Sequence, residues 1–354
     1  MSEPVRVLVV DDSSVNRHLI TETVDRADDL RVVGHAGNGE QALRMVAELE
    51  PDAITLDVEM PRMDGFTFLR ILMSSRPTAV VVLSSYSARE NIIRALELGA
   101  VDFMAKPEQL LLGQTDWGDD LVKKLQLTRL WRRPVRLELP TASPHAARKR
   151  PDQSTPRYVV GIAASTGGPG ALLSVLSQIP SNYPGAIVIA QHMAQGFTKS
   201  FADRLNRTTP LCVREAVDGE PLFAGHAYIC PGGMCMEVRR DPTGTLKLSV
   251  LPPTDADRYV PSATRLFRSL GRTLGPRALG VVLTGMADDG VEGCRAIREN
   301  LGVVICESEE TAVVFGMPAA VQRANLASHV APLGEIPLLM KTFRRTPTDP
   351  LLVG

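Results

Sequence analysis

Along the first 125 residues, short apolar runs of β-forming residues alternate with stretches whose apolar positions recur at helical spacing. Val5–Val10 has the near-continuous apolar character expected of a strand buried on both faces of a parallel sheet, and similar runs recur at Arg31–Ala36, Ala53–Leu56, Ala79–Leu83 and Val101–Met104. Between them, Asn38–Leu49 places Ala42, Leu43, Val46, Ala47 and Leu49 on one side of a helix. Ala88–Leu98 reads as another helix, stopped by Gly99. Five strand–helix units in this length predict a doubly wound parallel sheet.

The pattern resumes after residue 157. Tyr158–Ala164, Ala186–Ala190 and Ala278–Leu283 read as buried strands, and a helix is expected over roughly Gly170–Ile179. Met234–Arg240 and Leu246–Leu251 flank Asp-Pro-Thr-Gly, a hairpin turn. The second half is therefore also α/β, with an antiparallel hairpin added.

Between the halves the pattern breaks. From Gln126 to Arg157 there are seven Arg and one Lys against Glu138 and Asp152, and five prolines, at positions 134, 140, 144, 151 and 156. Proline removes backbone donors and like charges repel, so this segment predicts an extended, solvated connector. The expected division is a first domain over 1–125, a linker over 126–156, a second domain over 157–345 and a tail over 346–354.

Composition narrows the class. A chain of 354 residues with 44% hydrophobic and 22% charged residues is an ordinary folded protein of two domains, and the formal net charge of −1 argues against a broad nucleic-acid surface. No apolar run reaches the length of a membrane helix and the start has no signal-peptide pattern, so a cytoplasmic protein without membrane insertion is expected. Five cysteines without a C-x-x-C pair read as reduced structural thiols.

In open α/β sheets, residues at the carboxyl ends of strands meet in one crevice. Asp11 and Asp12 end the first strand, Asp57 the third, Ser84 the fourth, and Lys106 follows the fifth. Converging carboxylates suit a hard cation such as Mg²⁺, and a hydroxyl and an ammonium beside them can hold phosphoryl oxygens. A single acid at a strand end is commonly just solvated; the spacing of all five positions argues otherwise. The pieces VLVVDD, LDVEMPRMDG, VVLSS and AVDFMAKP resemble the receiver domain of two-component response regulators. That resemblance implies Asp57 as phospho-acceptor, Asp11 and Asp12 with Asp57 at Mg²⁺, Ser84 and Lys106 on the phosphoryl group, and Phe103 as an aromatic switch residue.

In the second half, Ser165 follows the strand YVVGIAA and precedes two glycines and a helix, a place where free N–H groups favour negative charge. Phosphate binding there lacks the motifs G-x-x-x-x-G-K-[ST] and G-x-G-x-x-G. His192 closes the second strand of this half, and Asp289 lies in LTGMADDG after the strand Ala278–Leu283. Each alone has a structural or solvated reading. Together, Ser, His and Asp leaving three strands of one sheet fit a hydroxyl deprotonated by an imidazole that a carboxylate orients. The serine lacks G-x-S-x-G, so a lipase-like assignment is poor.

The whole arrangement resembles the chemotaxis protein-glutamate methylesterase (CheB) family, on the pieces GIAASTGGP, IAQHMAQGFTKSFADRLN, VDGEPLFAGHAYICPGG, VVLTGMADDG and VVFGMPAAV. The resemblance implies a Rossmann-like hydrolase joined to a flavodoxin-like receiver, with Ser165 as nucleophile, His192 as general base and acid, and Asp289 as orienting carboxylate. It also implies Met286 and Thr166 near the oxyanion and no cofactor for the esterase half. Demethylation of glutamate methyl esters and deamidation of glutamines on chemoreceptor helices, switched by a sensor histidine kinase through Asp57, follow from the same resemblance. The chain departs from the family pattern at Ala287 (glycine), Ala194 (proline), Cys235 (histidine) and within PSATRLF, where P-S-V-D-x-L-F has aspartate. These departures motivate an alternative, a docking regulator with a degenerate esterase half. A DNA-binding role for the basic connector is disfavoured, because no paired-helix pattern occurs in the effector half.

Overall fold

Five parallel strands make the sheet of the first unit: β1 (Val5–Val10), β2 (Leu30–Ala36), β3 (Ala53–Asp57), β4 (Ala79–Ser84) and β5 (Asp102–Ala105), in the order β2-β1-β3-β4-β5. The computed structural model describes residues 3–84, 94–96, 98–106, 115–131 and 153–343, and the chain separates into two units between Pro134 and Val135. Both β3 and β4 are buried along their whole length, which is why they read as largely apolar runs. Around them run α1 (Ser14–Val24), α2 (Gly39–Leu49), α3 (Gly65–Ser75) and α4 (Thr115–Leu127). The first three begin on side-chain caps, with Ser13, Asn38 and Asp64 accepting backbone N–H groups. Most of the helix expected at Ala88–Leu98 lies outside the described residues; 94–96 are helical, and Gly99 takes φ +105°.

The first unit extends past residue 125, where the linker was expected to follow. Leu121 and Leu125 of α4 are fully buried in its core, so the helix continues through Leu127 into a 3₁₀ turn at Thr128–Leu130. Arg129, counted above among the charges of the connector, donates to the carbonyls of Asp29 and Glu3. At the other end Arg157 N–H donates to Pro184 O and Ser154 O accepts from Ala224 N–H, so the second unit is engaged by residue 154. The remainder of the basic segment, 132–152, lies outside the described residues.

The second unit is built on seven parallel strands in the order β14-β13-β12-β6-β7-β9-β8. They are β6 (Val159–Ala164), β7 (Ala186–Gln191), β8 (Cys212–Glu215), β9 (His226–Ile229), β12 (Ala278–Val282), β13 (Val303–Glu307) and β14 (His329–Ala331). The hairpin of β10 (Cys235–Arg240) and β11 (Leu246–Leu251) pairs antiparallel, as the turn sequence predicts. The helices are α5 (Gly168–Ser177), α6 (Phe197–Thr208), α7 (Ala263–Leu274), α8 (Val291–Glu299), α9 (Met317–Arg323) and α10 (Ile336–Thr342). Leu266, Phe267 and Leu270 of α7 are fully buried in a core shared with Val238 of the hairpin and Ile297 of α8. Strand order runs outward in opposite directions from β6 and β12, so the crevice for a ligand opens at the carboxyl ends of those two strands. Among the described residues no helix is long and apolar enough to cross a membrane.

Candidate active site and phosphoryl-acceptor site

In the first unit the carboxyl ends of β1 and β3 bring Asp11, Asp12 and Asp57 together, with one oxygen from each lying within 4.8 Å of the others. Lys106, just past β5, reaches back with Nζ 2.7 Å from Asp11 Oδ2 and 2.5 Å from Asp57 Oδ2. Burial raises the Asp57 carboxyl above the usual range, although Lys106 opposes the shift. Burial also works against the Lys106 ammonium, but Asp57 and Asp11 outweigh it and its pKa rises. Asp11 and Asp57 are buried while Asp12 is exposed, so the group has one side open to water. Three hard oxygen donors around a water-accessible point suit a divalent cation that keeps part of its hydration shell.

Ser84 ends β4 with its carbonyl accepting Lys106 N–H at 2.7 Å. Its hydroxyl is buried and has no hydrogen-bond partner among the described residues. A buried hydroxyl without a partner, on the residue that follows the register partner of Asp57, is a donor available to an anionic oxygen. Phe103 lies further down the sheet, paired in register with Val82 rather than with Ser84.

In the second unit, Ser165, His192 and Asp289 leave β6, β7 and β12 at the central crevice. His192 Nε2 lies 2.8 Å from Asp289 Oδ2. Nδ1 is therefore the ring nitrogen left for a second partner. Asp289 is 3% exposed, yet its carboxyl lies below the usual range. Burial opposes that shift; the His192 contact and two backbone bonds outweigh it. Those bonds come from the first turn of α7, with Ala263 N–H donating to Oδ2 at 2.7 Å and Thr264 N–H to Oδ1 at 2.9 Å. A helix N-terminus carries free donors and the positive end of its dipole, so it holds a carboxylate in place and ionised. The neighbouring Asp288 points elsewhere, accepting from the Tyr259 hydroxyl at 3.0 Å.

Backbone groups fix the serine. Ser165 N–H donates to Thr284 O at 3.0 Å, and Gln191 Nε2 donates to the carbonyls of both Ser165 and His192, each at 3.0 Å. Gln191 thus ties the serine loop to the histidine loop. A Cβ at Gly285 would stand 2.8 Å from Ser165 Cβ, so only glycine lets this strand end lie against the serine. The next residue, Met286, presents a backbone N–H with no hydrogen bond among the described residues. Thr166 is buried, its carbonyl accepting the Thr284 hydroxyl at 2.9 Å.

Three departures from the family pattern can be read in the structure. Thr264 stands where the pattern has aspartate, and its hydroxyl accepts Gly290 N–H at 2.8 Å, so a side-chain acceptor survives the change. Ala287 stands where the pattern has glycine and takes φ +77°, a left-handed conformation that costs an L residue energy. Cys235 is fully buried, and burial pushes its thiol pKa up, which fits an inert packing residue. Nothing in the structure explains Ala194.

Sequence reasoning did not single out Gln191, Thr284, Tyr259 or Glu307. Glu307 had a signal, since it ends the apolar run Val303–Cys306 as Asp57 ends its own strand.

Comparison with known proteins covers both units. The family model described as CheB methylesterase matches residues 160–340, and that of the response regulator receiver domain matches residues 7–112. A protein-glutamate methylesterase/protein-glutamine glutaminase of Myxococcus xanthus is 43% identical over 96% of this chain and 98% of its own length. One from Geobacter sulfurreducens is 45% identical over 89% of this chain and 90% of its own. The crystal structure of the Thermotoga maritima CheB methylesterase catalytic domain superposes with a TM-score of 0.51 at 35% identity, covering 53% of this chain and 97% of that one.

Proposed function

Since the chain belongs to the CheB family of protein-glutamate methylesterases, with a receiver domain ahead of the catalytic domain, we propose that it is a phosphorylation-activated serine hydrolase acting on glutamate methyl esters of chemoreceptors in the cytoplasm. The observation that carries this reading is the 2.8 Å His192–Asp289 pair at the strand crevice that also presents Ser165.

Ser165 Oγ attacks the side-chain carbonyl carbon of the methylated glutamate as His192 takes the hydroxyl proton on Nδ1, the nitrogen that Asp289 leaves available. Asp289, ionised and fixed by α7, stabilises the resulting imidazolium. The tetrahedral oxyanion is received by the Met286 N–H, assisted by the amide of Thr166. Collapse breaks the ester C–O bond, and methanol departs with the proton from His192. Water, deprotonated by His192, then hydrolyses the acyl-serine to glutamate and regenerates Ser165. A glutamine amide passes through the same oxyanion and releases ammonia instead.

Asp57 is the residue phosphorylated in the receiver, with a sensor histidine kinase as donor. Mg²⁺, held by Asp11, Asp12 and Asp57 when bound, supplies positive charge that offsets the phosphoryl oxygens. Lys106 and the Ser84 hydroxyl hold the remaining oxygens. The test is methanol release from methylated receptor membranes with and without a small-molecule phosphodonor. Release should require Ser165 and rise with the phosphodonor only when Asp57 is present. Undiminished release by Ser165→Ala would refute the hydrolase reading, and a phosphodonor effect that survives Asp57→Ala would refute the switch.

A further inference from the structure

Glu307 ends β13, is fully buried, and takes no part in the chemistry above. Its Oε2 accepts the Thr284 N–H at 2.7 Å and its Oε1 accepts the Thr311 hydroxyl at 3.0 Å. No charged side chain pairs with it among the described residues. Burial pushes its carboxyl up to about 7, and the two hydrogen bonds only partly oppose that. A buried acid without a counter-ion is costly to keep and calls for a reason.

The reason lies in Thr284, whose N–H it holds. Thr284 is a junction: its carbonyl accepts Ser165 N–H at 3.0 Å, and its hydroxyl donates to Thr166 O at 2.9 Å and accepts Val314 N–H at 2.9 Å. One residue thus holds the nucleophile and its successor through separate groups. Its carbonyl and hydroxyl bond only to backbone, that of Ser165 and Thr166 just past β6 and of Val314 ahead of α9. Only its N–H is held by a side chain, and that side chain is Glu307.

Building on the hydrolase reading, we infer that Glu307 is a positioning residue for the nucleophile, its carboxyl orienting the Thr284 peptide and through it Ser165 and Thr166. Thr311 locks the carboxyl from its other oxygen, and Thr311 itself is tied down by accepting Leu333 N–H at 2.9 Å. The chain of contacts is Leu333, Thr311, Glu307, Thr284, Ser165. Glutamine is the one substitution that preserves it: its amide oxygen accepts from Thr284 and its amide nitrogen donates to Thr311.

The experiment measures kcat and KM for methanol release by the full-length, phosphodonor-treated protein on methylated receptor membranes. Glu307→Gln is expected to keep kcat within about threefold. Glu307→Met fills the space without an acceptor and should lower kcat by about 10-fold or more with KM within threefold, since small displacements of a reacting group are expensive. Glu307→Asp keeps the acid on a stem one methylene shorter, so it should fall with Met. If Met does not fold, the Asp and Gln pair decides. Wild-type kcat in the Met or Asp variant, or loss in Gln equal to that in Asp, overturns the positioning role. An inactive wild-type protein would instead overturn the hydrolase reading on which this one rests.

Discussion

The rings of His192 and Tyr259 lie face to face, with centroids 5.5 Å apart and planes 13° apart. The Tyr259 hydroxyl is pinned by Asp288 at 3.0 Å, and the Arg258 guanidinium rests 5.2 Å from the centre of the same ring. Asp289 therefore fixes one edge of the imidazole and Tyr259 fixes its plane. An aromatic pair of this kind contributes about 0.5–1.5 kcal/mol, or a factor of roughly 2–10. Tyr259→Leu should lower kcat by that factor, whereas Tyr259→Phe should lose less because the stack survives. Methanol-release kinetics decide the matter, and equal kcat for Leu and wild type would show that the stack does not hold the imidazole for catalysis.

The two adjacent aspartates should differ sharply. Asp289→Asn preserves shape but presents His192 with an amide, and a drop in kcat on the order of 10³-fold or more is expected. Asp288→Asn leaves the His192–Asp289 bond untouched and should stay within a few-fold of wild type. The same assay on both variants checks the assignment, and a reversed ranking would show that the wrong acid had been chosen.

Ala287 offers a stability test. Its φ of +77° costs an L residue about 1–2 kcal/mol, part of which glycine returns as unfolded-chain entropy. Ala287→Gly should stabilise the second unit by about 0.5–1 kcal/mol, raising the melting temperature by about 1–4 °C. Calorimetry of the two proteins side by side is sufficient, and a lower melting temperature for glycine would contradict the strain.

Glu307 makes stability depend on pH. Its carboxyl titrates near 4.5 when unfolded and at about 7 when folded, so between these values the folded state holds a proton the unfolded state has lost. The stabilising contribution is complete below pH 4.5, falls as pH rises towards 7, and is gone above it. The loss is about 3 kcal/mol. Glu307→Gln cannot suffer it, so the variant should match wild type in melting near pH 4.5 and exceed it at pH 8. Parallel melting curves across that range would rule out the titration.

The acidic cluster of the receiver should respond to Mg²⁺ alone. A cation at 100 times its Kd stabilises the unit that binds it by about 2.7 kcal/mol. Millimolar Mg²⁺ should raise the melting temperature of the receiver transition relative to EDTA. Asp11→Asn, which removes one carboxylate, should abolish most of the shift. A shift that persists unchanged in Asp11→Asn would place the ion elsewhere.

Much of this molecule was legible in advance, and parallel sheets explain why. A strand buried on both faces stays apolar to its last residue, so the first polar residue marks the carboxyl end. That rule exposed Asp11, Asp57 and Ser165, and brought His192 into view one residue beyond Gln191. It exposes less where strands are short or end in mixed residues: β8 and β9 have four residues each and carry Arg214, Glu215 and His226 among them. It also cannot see partners brought in by the tertiary fold. Asp289 is held by residues 26 and 25 positions earlier in the chain, and nothing in their types announces it. The stack of Tyr259 on His192 is hidden for the same reason.

The residues at the crevice owe their placement largely to the main chain. Ser165 hangs from the Thr284 carbonyl, and Asp289 sits on the amides of Ala263 and Thr264. A point mutation can replace any side chain, but it removes no carbonyl, and it removes an amide N–H only by introducing proline. A site moored this way tolerates side-chain changes that leave those backbone groups in place. It can lose an aspartate at position 264 or a glycine at 287 and still hold its reacting groups. The scope for divergence then lies in side chains that bond to none of these backbone groups, which can change without moving Ser165 or Asp289.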